Sequence, residues 1–432
     1  MYRLNDRNGV PDFDHENFEK AHDYSPLLQP YFLAGLKNII VTNPAFEDFL
    51  THLRRWLVQQ LDAEKKVFSD ADYTKLTAAL SHYCLFTDYI FNTTEEERQK
   101  IAAVRARLEG AEDAVDECNL AIYACYEPLY KLKNAKALHV LSSLSPIAAD
   151  VIKLQIGEYF DLQERRESIT SLTGIDDAVS LEVQEQYEEF PYPRWKAIPG
   201  TPPNSENLLG PGGKILVAGC GTGQDPLMYA LLAPRTEILA VDLSRSSLAY
   251  AMRKAEEFGV KNITFRQADI LKLGSLDMKF DCIVSMGVLH HMKEPRKGWQ
   301  ALCGLRKPGG IMSVGLYSKA ARRSIVKAHE VIAHGNYGRD SSSMIEFRRR
   351  SPQLLEPDVL RNLQNFKDYY NLPMYRDLLL HVKEHRFDLT EISDILRTLG
   401  LKFGAFIVPD DTAIQYKKMF PNDIWGKDLD NW

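Results

Sequence analysis

Apolar residues in the first part of the chain recur at helical spacing. After Asn43–Pro44, apolar residues recur at a spacing of three and four positions; they are Phe46, Phe49, Leu50, Leu53, Trp56, Leu57 and Leu61. Such a stripe covers one face of an α-helix. Thr94, with Glu97 three residues later, has the pattern of a capping box at another helix start. Further helices are predicted at 71–91, 112–132 and 143–165. We therefore predict an all-α N-terminal domain over 1–180, with an irregular polar arm over about the first 30 residues.

The pattern changes after a stretch rich in Pro, Gly, Asn and Ser at 197–213. Short β-branched runs then alternate with helical stretches. The predicted strands are 214–219, 237–242, 263–269, 280–286, 310–317 and 402–408. Strands that alternate with helices form a parallel sheet with right-handed crossovers. We expect an α/β domain over 214–432, an aromatic and Pro-rich linker over 181–213, and a long insertion at about 335–388.

The first predicted strand runs directly into a glycine-rich loop. Gly219, Gly221 and Gly223 let the backbone turn tightly and approach a ligand, because no Cβ is in the way. The following helix offers free N–H groups at its N-terminus. Asp242, 19 residues after Gly223, ends the second strand, where a carboxylate can accept both hydroxyls of a ribose. The spacing G-x-G-x-G differs from G-x-G-x-x-G and so disfavours a dinucleotide.

Five segments in the α/β part follow one another in a recognisable order. They are ILVAGCGTG, AVD, QADI, FDCIVSMGVLHHM and LRKPGG, within about 214–317. In order and spacing they resemble the motifs of class I S-adenosylmethionine-dependent methyltransferases, of the bacterial kind with a helical N-terminal region. The resemblance implies a Rossmann-like methyltransferase sheet of seven strands, the last antiparallel. It also implies S-adenosylmethionine as the cofactor and methyl transfer as the activity.

Motif by motif, the resemblance implies a cofactor-binding set. The glycine loop would line the methionyl and ribose parts, Asp242 would hold the ribose, and Asp269 would meet the adenine amino group. The end of the fourth strand would lie along the methionyl moiety. The positions implied in this way are Gly219, Cys220, Gly221, Gly223, Asp242, Leu243, Asp269, Ile270, Ser285, Met286 and Gly287.

One position departs from the family pattern. Val217 stands where the family usually has an acidic residue that helps to position the methionyl amine. Two interpretations stay open: another acceptor replaces that residue, or cofactor binding has been lost. Asp242 and Asp269 favour replacement, because they would otherwise have no reason to lie where they do. Asp225, just past the loop, is the candidate substitute.

A second distinctive segment, YEEFPYPRW at 187–195, precedes the sheet. Its prolines stiffen the chain, its aromatic rings could cover a ligand, and an arginine suits a carboxylate such as the methionyl tail. It resembles a stretch found before the sheet in the same bacterial methyltransferases. Tyr192 and Arg194 are the candidate cofactor contacts. The alternative is an aromatic linker that serves packing alone.

Histidines follow the fourth strand, where the transferred methyl group would be presented. Methyl transfer needs alignment above all, and it needs a base only when the acceptor arrives protonated. His290 and His291 are therefore candidate bases, with a wall-shaping role as the alternative. The run 381–385 matches H-x-x-E-H, a zinc-hydrolase pattern, but a zinc site needs a third ligand and a catalytic helix. We expect no metal.

Composition restricts the possible partners and the cellular location of the protein. Lys and Arg number 53 and Asp and Glu number 59, so the net charge of −6 makes nucleic acid an unlikely partner. Six cysteines without a C-x-x-C pair indicate reduced thiols and a cytoplasmic location. We expect no secretory signal and no spanning helix, hence no membrane partner.

The sequence thus predicts a cytoplasmic methyltransferase whose acceptor is a protein side chain or a bulky small molecule. The large helical domain favours such an acceptor, although it could serve homodimerisation alone. The alternative function is a non-catalytic cofactor-binding or scaffold protein that retains the fold. Fold by itself does not fix acceptor chemistry.

Overall fold

The computed structural model describes most of the chain. The described residues are 2–4, 11–13, 15–21, 23–63, 66–111, 115–189, 191, 193–198 and 212–432. They divide into two compact units, each built from segments distant in sequence. A helical unit comprises Met1–Ser168, Tyr192–Ala197 and Ser324–Leu380. A sheet unit comprises Ile169–Pro191, Ile198–Arg323 and His381–Trp432.

The helical unit begins with a short antiparallel hairpin of β1 (Tyr2–Leu4) and β2 (Pro11–Phe13). The predicted irregular arm is therefore wrong in part, because backbone pairing orders these residues. The helices that follow are α1 (His15–Glu19), α2 (Pro30–Asn38), α3 (Pro44–Gln60), α4 (Asp70–Phe86), α5 (Glu95–Glu109), α6 (Glu117–Tyr123), α7 (Ala135–His139), α8 (Pro146–Ile152) and α9 (Glu158–Ser168). One π-helical turn, Lys153–Gly157, joins α8 to α9.

Local capping explains where these helices begin. The Asn43 side chain accepts a hydrogen bond from the Phe46 N–H at 3.0 Å, and Pro44 occupies the first helical position of α3. At α5, Glu97 N–H donates to Thr94 Oγ1 at 3.2 Å, and Thr94 N–H donates to the Glu97 carboxylate at 2.7 Å. The predicted helix start after Asn43 and the predicted capping box are confirmed.

The sheet unit is a layer of strands flanked by helices. Its strands are β3 (Lys214–Ala218), β4 (Glu237–Asp242), β5 (Ile263–Gln267), β6 (Phe280–Met286) and β7 (Arg306–Gly315), in the order β5-β4-β3-β6-β7 and all parallel. Its first helices are α10 (Ala178–Glu189), α11 (Gln224–Leu232), α12 (Arg245–Glu257), α13 (Ile270–Leu273) and α14 (Pro295–Gly304). The central strand β3 has a parallel neighbour on each edge, and it buries Ile215 through Ala218, as is typical of the central strand of a parallel sheet.

Four further helices return to the helical unit. They are α15 (Arg323–His334), α16 (Ser341–Leu354), α17 (Pro357–Gln364) and α18 (Leu372–Leu380). The Arg348 guanidinium forms a paired ion contact with the Glu47 carboxylate and lies 4.3 Å from the centre of the Tyr369 ring. Asn371 Nδ2 donates to the Phe86 carbonyl at 2.7 Å. Most of the predicted insertion at 335–388 therefore packs with the N-terminal helices.

The predicted seven-stranded sheet is corrected to five strands in the described part of the chain. The run at 402–408 lies between α19 (Leu389–Thr398) and α20 (Asp410–Met419) without strand structure. Its Ile407 side chain is 87% exposed. High β-propensity makes a strand only where a partner strand and a packing face are present. Among the described helices, none combines the length and the apolar character needed to cross a membrane.

Candidate functional site

The loop after β3 presents bare main chain at the carboxyl end of the sheet. Gly219, Gly221 and Gly223 have φ angles of +76°, +51° and +86°. This left-handed region favours glycine, because a Cβ would be strained there. A Cβ on Gly219 would also lie 2.3 Å from Cγ2 of Val288, in the loop after β6. Backbone conformation and packing therefore both require glycine at position 219.

Asp242, the last residue of β4, fixes this loop. Its Oδ2 accepts a hydrogen bond from the Gly221 N–H at 2.7 Å, and its Oδ1 accepts one from the Ser244 N–H at 2.9 Å. Each oxygen keeps acceptor capacity for a hydroxyl group. Burial, with a smaller contribution from the charge of Glu188, raises the pKa of Asp242 to about 6, although these two hydrogen bonds lower it. The carboxylate is thus ionised at neutral pH and can accept from a ribose.

Asp269 follows the neighbouring strand and is buried. Its Oδ1 accepts from the Leu271 N–H at 2.9 Å, and its own N–H donates to Thr173 Oγ1 at 2.9 Å. Its Oδ2 is buried with no hydrogen-bond partner in the described part of the chain. Buried polar atoms are rarely left unsatisfied in native proteins. A donor from a ligand, such as an adenine amino group, fits this oxygen.

The end of β6 lies at the same edge of the sheet as the glycine loop. Ser285 is buried, and its Oγ donates to the Ala218 carbonyl at 3.0 Å, which ties β6 to the end of β3. Met286 is partly exposed. Gly287 has φ of +74°, and a Cβ there would meet nothing within 4 Å. Open space at a strand end beside the glycine loop can receive a ligand.

The other predicted positions lie in the same loops. Cys220 is buried, its N–H donates to the Val241 carbonyl at 2.9 Å, and burial raises the pKa of its thiol. The Leu243 carbonyl accepts from Gln267 Nε2 at 2.9 Å. Ile270 is buried at the start of α13.

The strand order explains how these residues meet. The strands β5, β4, β3 and β6 are parallel neighbours, so their carboxyl ends share one edge of the sheet. Asp242 and Asp269 are linked there, because the Ala268 N–H donates to the Asp242 carbonyl at 3.0 Å. The structure therefore brings the predicted positions of the glycine loop, β4, β5 and β6 together. Their roles toward a cofactor stay predictions.

Val217 occupies the position where the methyltransferase family usually has an acidic residue. Val217 lies in the interior of β3, paired with Ala240 on one side and Val284 on the other. Asp225 lies in the first turn of α11, half-buried, and burial raises the pKa of its carboxyl. Its carboxylate has no hydrogen bond to any described residue. Asp225 remains the candidate substitute.

His290 and His291 occupy a buried turn after β6. The His290 ring stacks on Tyr317, with 3.7 Å between the ring centres. Neither of its ring nitrogens makes a well-formed hydrogen bond to a described residue, although the Gly315 carbonyl favours the charged form. Burial, followed by the charges of His291 and Arg322, lowers the pKa of His290 to about 2. An imidazole that is so weakly basic favours the wall-shaping alternative.

His291 is held differently. Its Nδ1 lies 2.8 Å from the Lys383 carbonyl, and its ring stacks on His381 with 3.4 Å between the ring centres. The H-x-x-E-H run at 381–385 is not helical, and its Glu384 forms a buried ion pair with Arg322 at 2.5 Å. This arrangement fits a packed wall of side chains.

We expect His290→Phe to keep the free energy of unfolding within about 1 kcal/mol of the wild-type value, or to raise it. An apolar ring of similar shape keeps the stack on Tyr317 and removes two buried nitrogens that lack good partners. His291→Phe, the matched control, should destabilise because it loses the contact with the Lys383 carbonyl. Urea unfolding measures both changes. If His290 were a base, His290→Phe would abolish methyl transfer to any acceptor that arrives protonated.

The segment 187–195 contains the two candidate cofactor contacts Tyr192 and Arg194. Tyr192 lies outside the described residues. Arg194 belongs to the helical unit, where its Nη2 lies 3.1 Å from Asp88 Oδ1 and its Nη1 donates to the Leu85 carbonyl at 3.4 Å. Its role toward a cofactor stays a prediction.

Sequence reasoning missed the residues that frame the Asp242 loop from outside the sheet. The Tyr187 carbonyl accepts from Ser244 Oγ at 3.0 Å, and Glu188 contacts the start of α12. Both residues lie within the segment that the sequence singled out. No local pattern joins Tyr187 to Ser244 or Glu188 to Arg245, because the members of each pair are 57 positions apart.

Comparisons with known proteins found one family match and several relatives. Residues 209–350 match a family model described as a methyltransferase domain. An uncharacterised protein of Synechococcus is 28% identical over 271 residues, which are 56% of this chain and 63% of that protein. A ubiquinone/menaquinone biosynthesis C-methyltransferase of Pseudomonas aeruginosa is 29% identical over 121 residues, 28% of this chain and 47% of that enzyme.

Solved structures are also similar. PKMT2 of Rickettsia typhi in complex with AdoHcy is 17% identical, with a TM-score of 0.38, over 59% of this chain and 50% of that chain. The magnesium protoporphyrin IX methyltransferase of Synechocystis with bound SAM is 21% identical, with a TM-score of 0.25, over 31% of this chain and 75% of that chain.

The family match and the five parallel strands lead to one assignment. Residues 209–350 carry a methyltransferase domain, as the motifs predicted, and S-adenosylmethionine is the cofactor that this match supports. The chain spans less than two thirds of the length of the curated relatives described above.

Proposed function

We propose that this protein is an S-adenosylmethionine-dependent methyltransferase that acts on a protein side chain or a bulky small molecule. The observation that carries the proposal is the pair of carboxylates at the ends of adjacent strands. Asp242 holds the glycine loop with capacity left for hydroxyls, and Asp269 has a buried oxygen that accepts no hydrogen bond from the described residues. A nucleoside beside bare main chain would supply hydroxyl donors to Asp242 and an amino donor to Asp269.

The residues of the chain bind and align rather than react. The cofactor, when bound, supplies a sulfonium methyl group. Asp242 would fix the ribose, Asp269 would fix the adenine, and the glycine loop would let the methionyl part approach the backbone. An in-line displacement depends on alignment and on exclusion of water, and both can come from such a site. His290 is too weakly basic to take a proton near neutral pH, whereas His291 stays a candidate base.

The breadth of the helical unit supports a bulky acceptor. In the described part of the chain, that unit combines the N-terminal helices α1–α9 with the helices α15–α18, far more surface than a nucleoside site needs. An acceptor that is a folded protein or a large molecule would use such surface.

Methyl transfer is tested by incubating the purified chain with lysate and cofactor that carries a labelled methyl group. Separation of protein from small molecules then shows which fraction acquires the label. We expect label in one fraction with the wild type and, at limiting cofactor, much less with Asp242→Ala, which serves as the matched control. The absence of label from both fractions with the wild type would contradict the proposal.

The alternative is a non-catalytic protein that binds the cofactor, and Val217 is the residue that favours it. Calorimetry with S-adenosylmethionine and S-adenosylhomocysteine discriminates between the two functions when it is combined with the labelling experiment. Binding without transfer would favour the alternative. Binding of neither compound would contradict both functions.

A further inference from the structure

Glu188, at the end of α10, reaches the start of another helix. Its Oε1 accepts from the Arg245 N–H at 2.6 Å. Its Oε2 accepts from the Ser246 N–H at 3.1 Å and from Ser246 Oγ at 2.5 Å. One carboxylate thus satisfies two N–H groups in the first turn of α12.

These bonds add to a local cap. The Ser244 side chain accepts from the Ser247 N–H at 3.0 Å, which satisfies only one group of that turn. The first turn of a helix leaves its N–H groups without intrahelical partners, and a negative charge is favourable there. Bonds from N–H groups to a carboxylate are stronger than bonds to a neutral acceptor. Glu188 therefore fixes the position of the α12 N-terminus.

The start of α12 that Glu188 fixes lies next to Asp242, the carboxylate expected to bind the ribose. Asp242 is only two residues before Ser244, and its Oδ1 accepts the Ser244 N–H. The Tyr187 carbonyl accepts from Ser244 Oγ at 3.0 Å, and Gln267 Nε2 holds the Leu243 carbonyl at 2.9 Å. The loop 242–244 is therefore held from α10 and from β5 at the same time.

We propose that Glu188 is a positioning residue for cofactor binding: it fixes the β4–α12 loop so that Asp242 is already oriented for the ribose. This inference rests on the proposed function. The carboxylate of Glu188 acts through the backbone of α12 and does not itself touch the cofactor. Preorganisation of this kind raises affinity because less ordering remains to be done on binding.

The same arrangement places like charges near each other. Glu188 faces Asp242 from α10, and the Cys220 thiol faces it from the glycine loop. The Arg245 guanidinium is turned away to Gln267 Oε1 and Ser171 Oγ, at 2.9 and 3.1 Å. Removal of the Glu188 charge should therefore lower the pKa of Asp242.

The test is calorimetric binding of S-adenosylhomocysteine to the full chain between pH 5 and 8. We expect Glu188→Ala to weaken binding about tenfold at pH 7.5, because two first-turn N–H groups lose their acceptor. Glu188→Gln keeps part of the hydrogen bonding and should weaken binding less. It should also move the acid limb of binding to lower pH by about half a unit, an effect that a structural role alone would not produce. Glu185→Gln, the matched control on the exposed side of α10, should change neither quantity.

A second variant distinguishes the loss of positioning from misfolding of Glu188→Ala. Ser246→Ala removes only the Oγ contact and should weaken binding about threefold. The double variant with Glu188→Ala should bind no worse than Glu188→Ala alone, since both remove one shared interaction. If Glu188→Ala binds within twofold of the wild type while Asp242→Ala loses affinity, the positioning role is wrong and the proposed function stands. If the wild type binds no S-adenosylhomocysteine, the proposed function is wrong, and this inference falls with it.

Discussion

Asp242→Ala is expected to weaken S-adenosylhomocysteine binding roughly 5- to 150-fold, which corresponds to about 1–3 kcal/mol. The variant removes the acceptor for two ribose hydroxyls. It also leaves the N–H groups of Gly221 and Ser244 without the carboxylate that now holds them at 2.7 and 2.9 Å. The glycine loop and the start of α12 should therefore lose order along with the direct contact. Calorimetry measures the loss.

The effect should depend on pH in a defined direction. The pKa of Asp242 is raised to about 6, so the group is ionised above that value and protonated below it. A protonated carboxyl loses part of its acceptor capacity. Wild-type affinity should therefore fall as the pH drops through about 6. Asp242→Asn, which cannot titrate, should bind weakly and show no such limb.

The control is a carboxylate of the same domain that lies in solvent. Asp277→Ala removes an exposed charge in the loop before β6 and should leave affinity unchanged. Equal affinities of Asp242→Ala and the wild type would show that the ribose assignment is wrong, even if methyl transfer itself persisted.

The parts of the site that sequence could predict are those where residue type dictates geometry. Glycine at 219, 221 and 223 signals a positive φ, and all three positions have one. An acid at the end of each of two neighbouring strands must lie at the shared carboxyl edge of a parallel sheet. The family resemblance implied that Asp242 and Asp269 bind one cofactor, and β4 and β5 are neighbours in the sheet.

The parts that sequence could not predict depend on contacts between distant segments. The hydrophobic pattern of 323–380 fits a helix in either unit, and contacts with distant residues, such as the pairing of Arg348 with Glu47, 301 positions away, fix where it packs. The run at 402–408 has the composition of a strand, but strand formation needs a partner. Glu188 has no local signal as a cap, because its partners begin 57 residues later.

Gly219→Ala is expected to cost about 2–4 kcal/mol of the free energy of unfolding. The position has φ of +76°, which costs an L-residue about 1 kcal/mol. The new Cβ would also lie 2.3 and 2.7 Å from the two Cγ atoms of Val288, so the loops after β3 and β6 must separate. Urea unfolding measures the loss, and calorimetry should show weaker cofactor binding in the same variant.

Gly287→Ala is the matched comparison, because Gly219 and Gly287 have a similar backbone conformation but differ in the room that is available for a Cβ. Gly287 has φ of +74°, but its Cβ would meet no atom within 4 Å. Its stability cost should therefore be near 1 kcal/mol, from the dihedral angle alone. If the open space beside Gly287 receives the methionyl part of the cofactor, this variant should lose affinity out of proportion to its small loss of stability.

A second substitution separates crowding from backbone strain at position 219. Val288→Ala removes both Cγ atoms that the new Cβ would meet, so Gly219→Ala combined with Val288→Ala should lose less stability than the sum of the two single variants. The part that remains would be the cost of the positive φ, close to that of Gly287→Ala. Equal losses for Gly219→Ala and Gly287→Ala would instead show that contact with Val288 does not determine the position of the glycine loop, and the packing of the two loops would then have to be assigned to other residues.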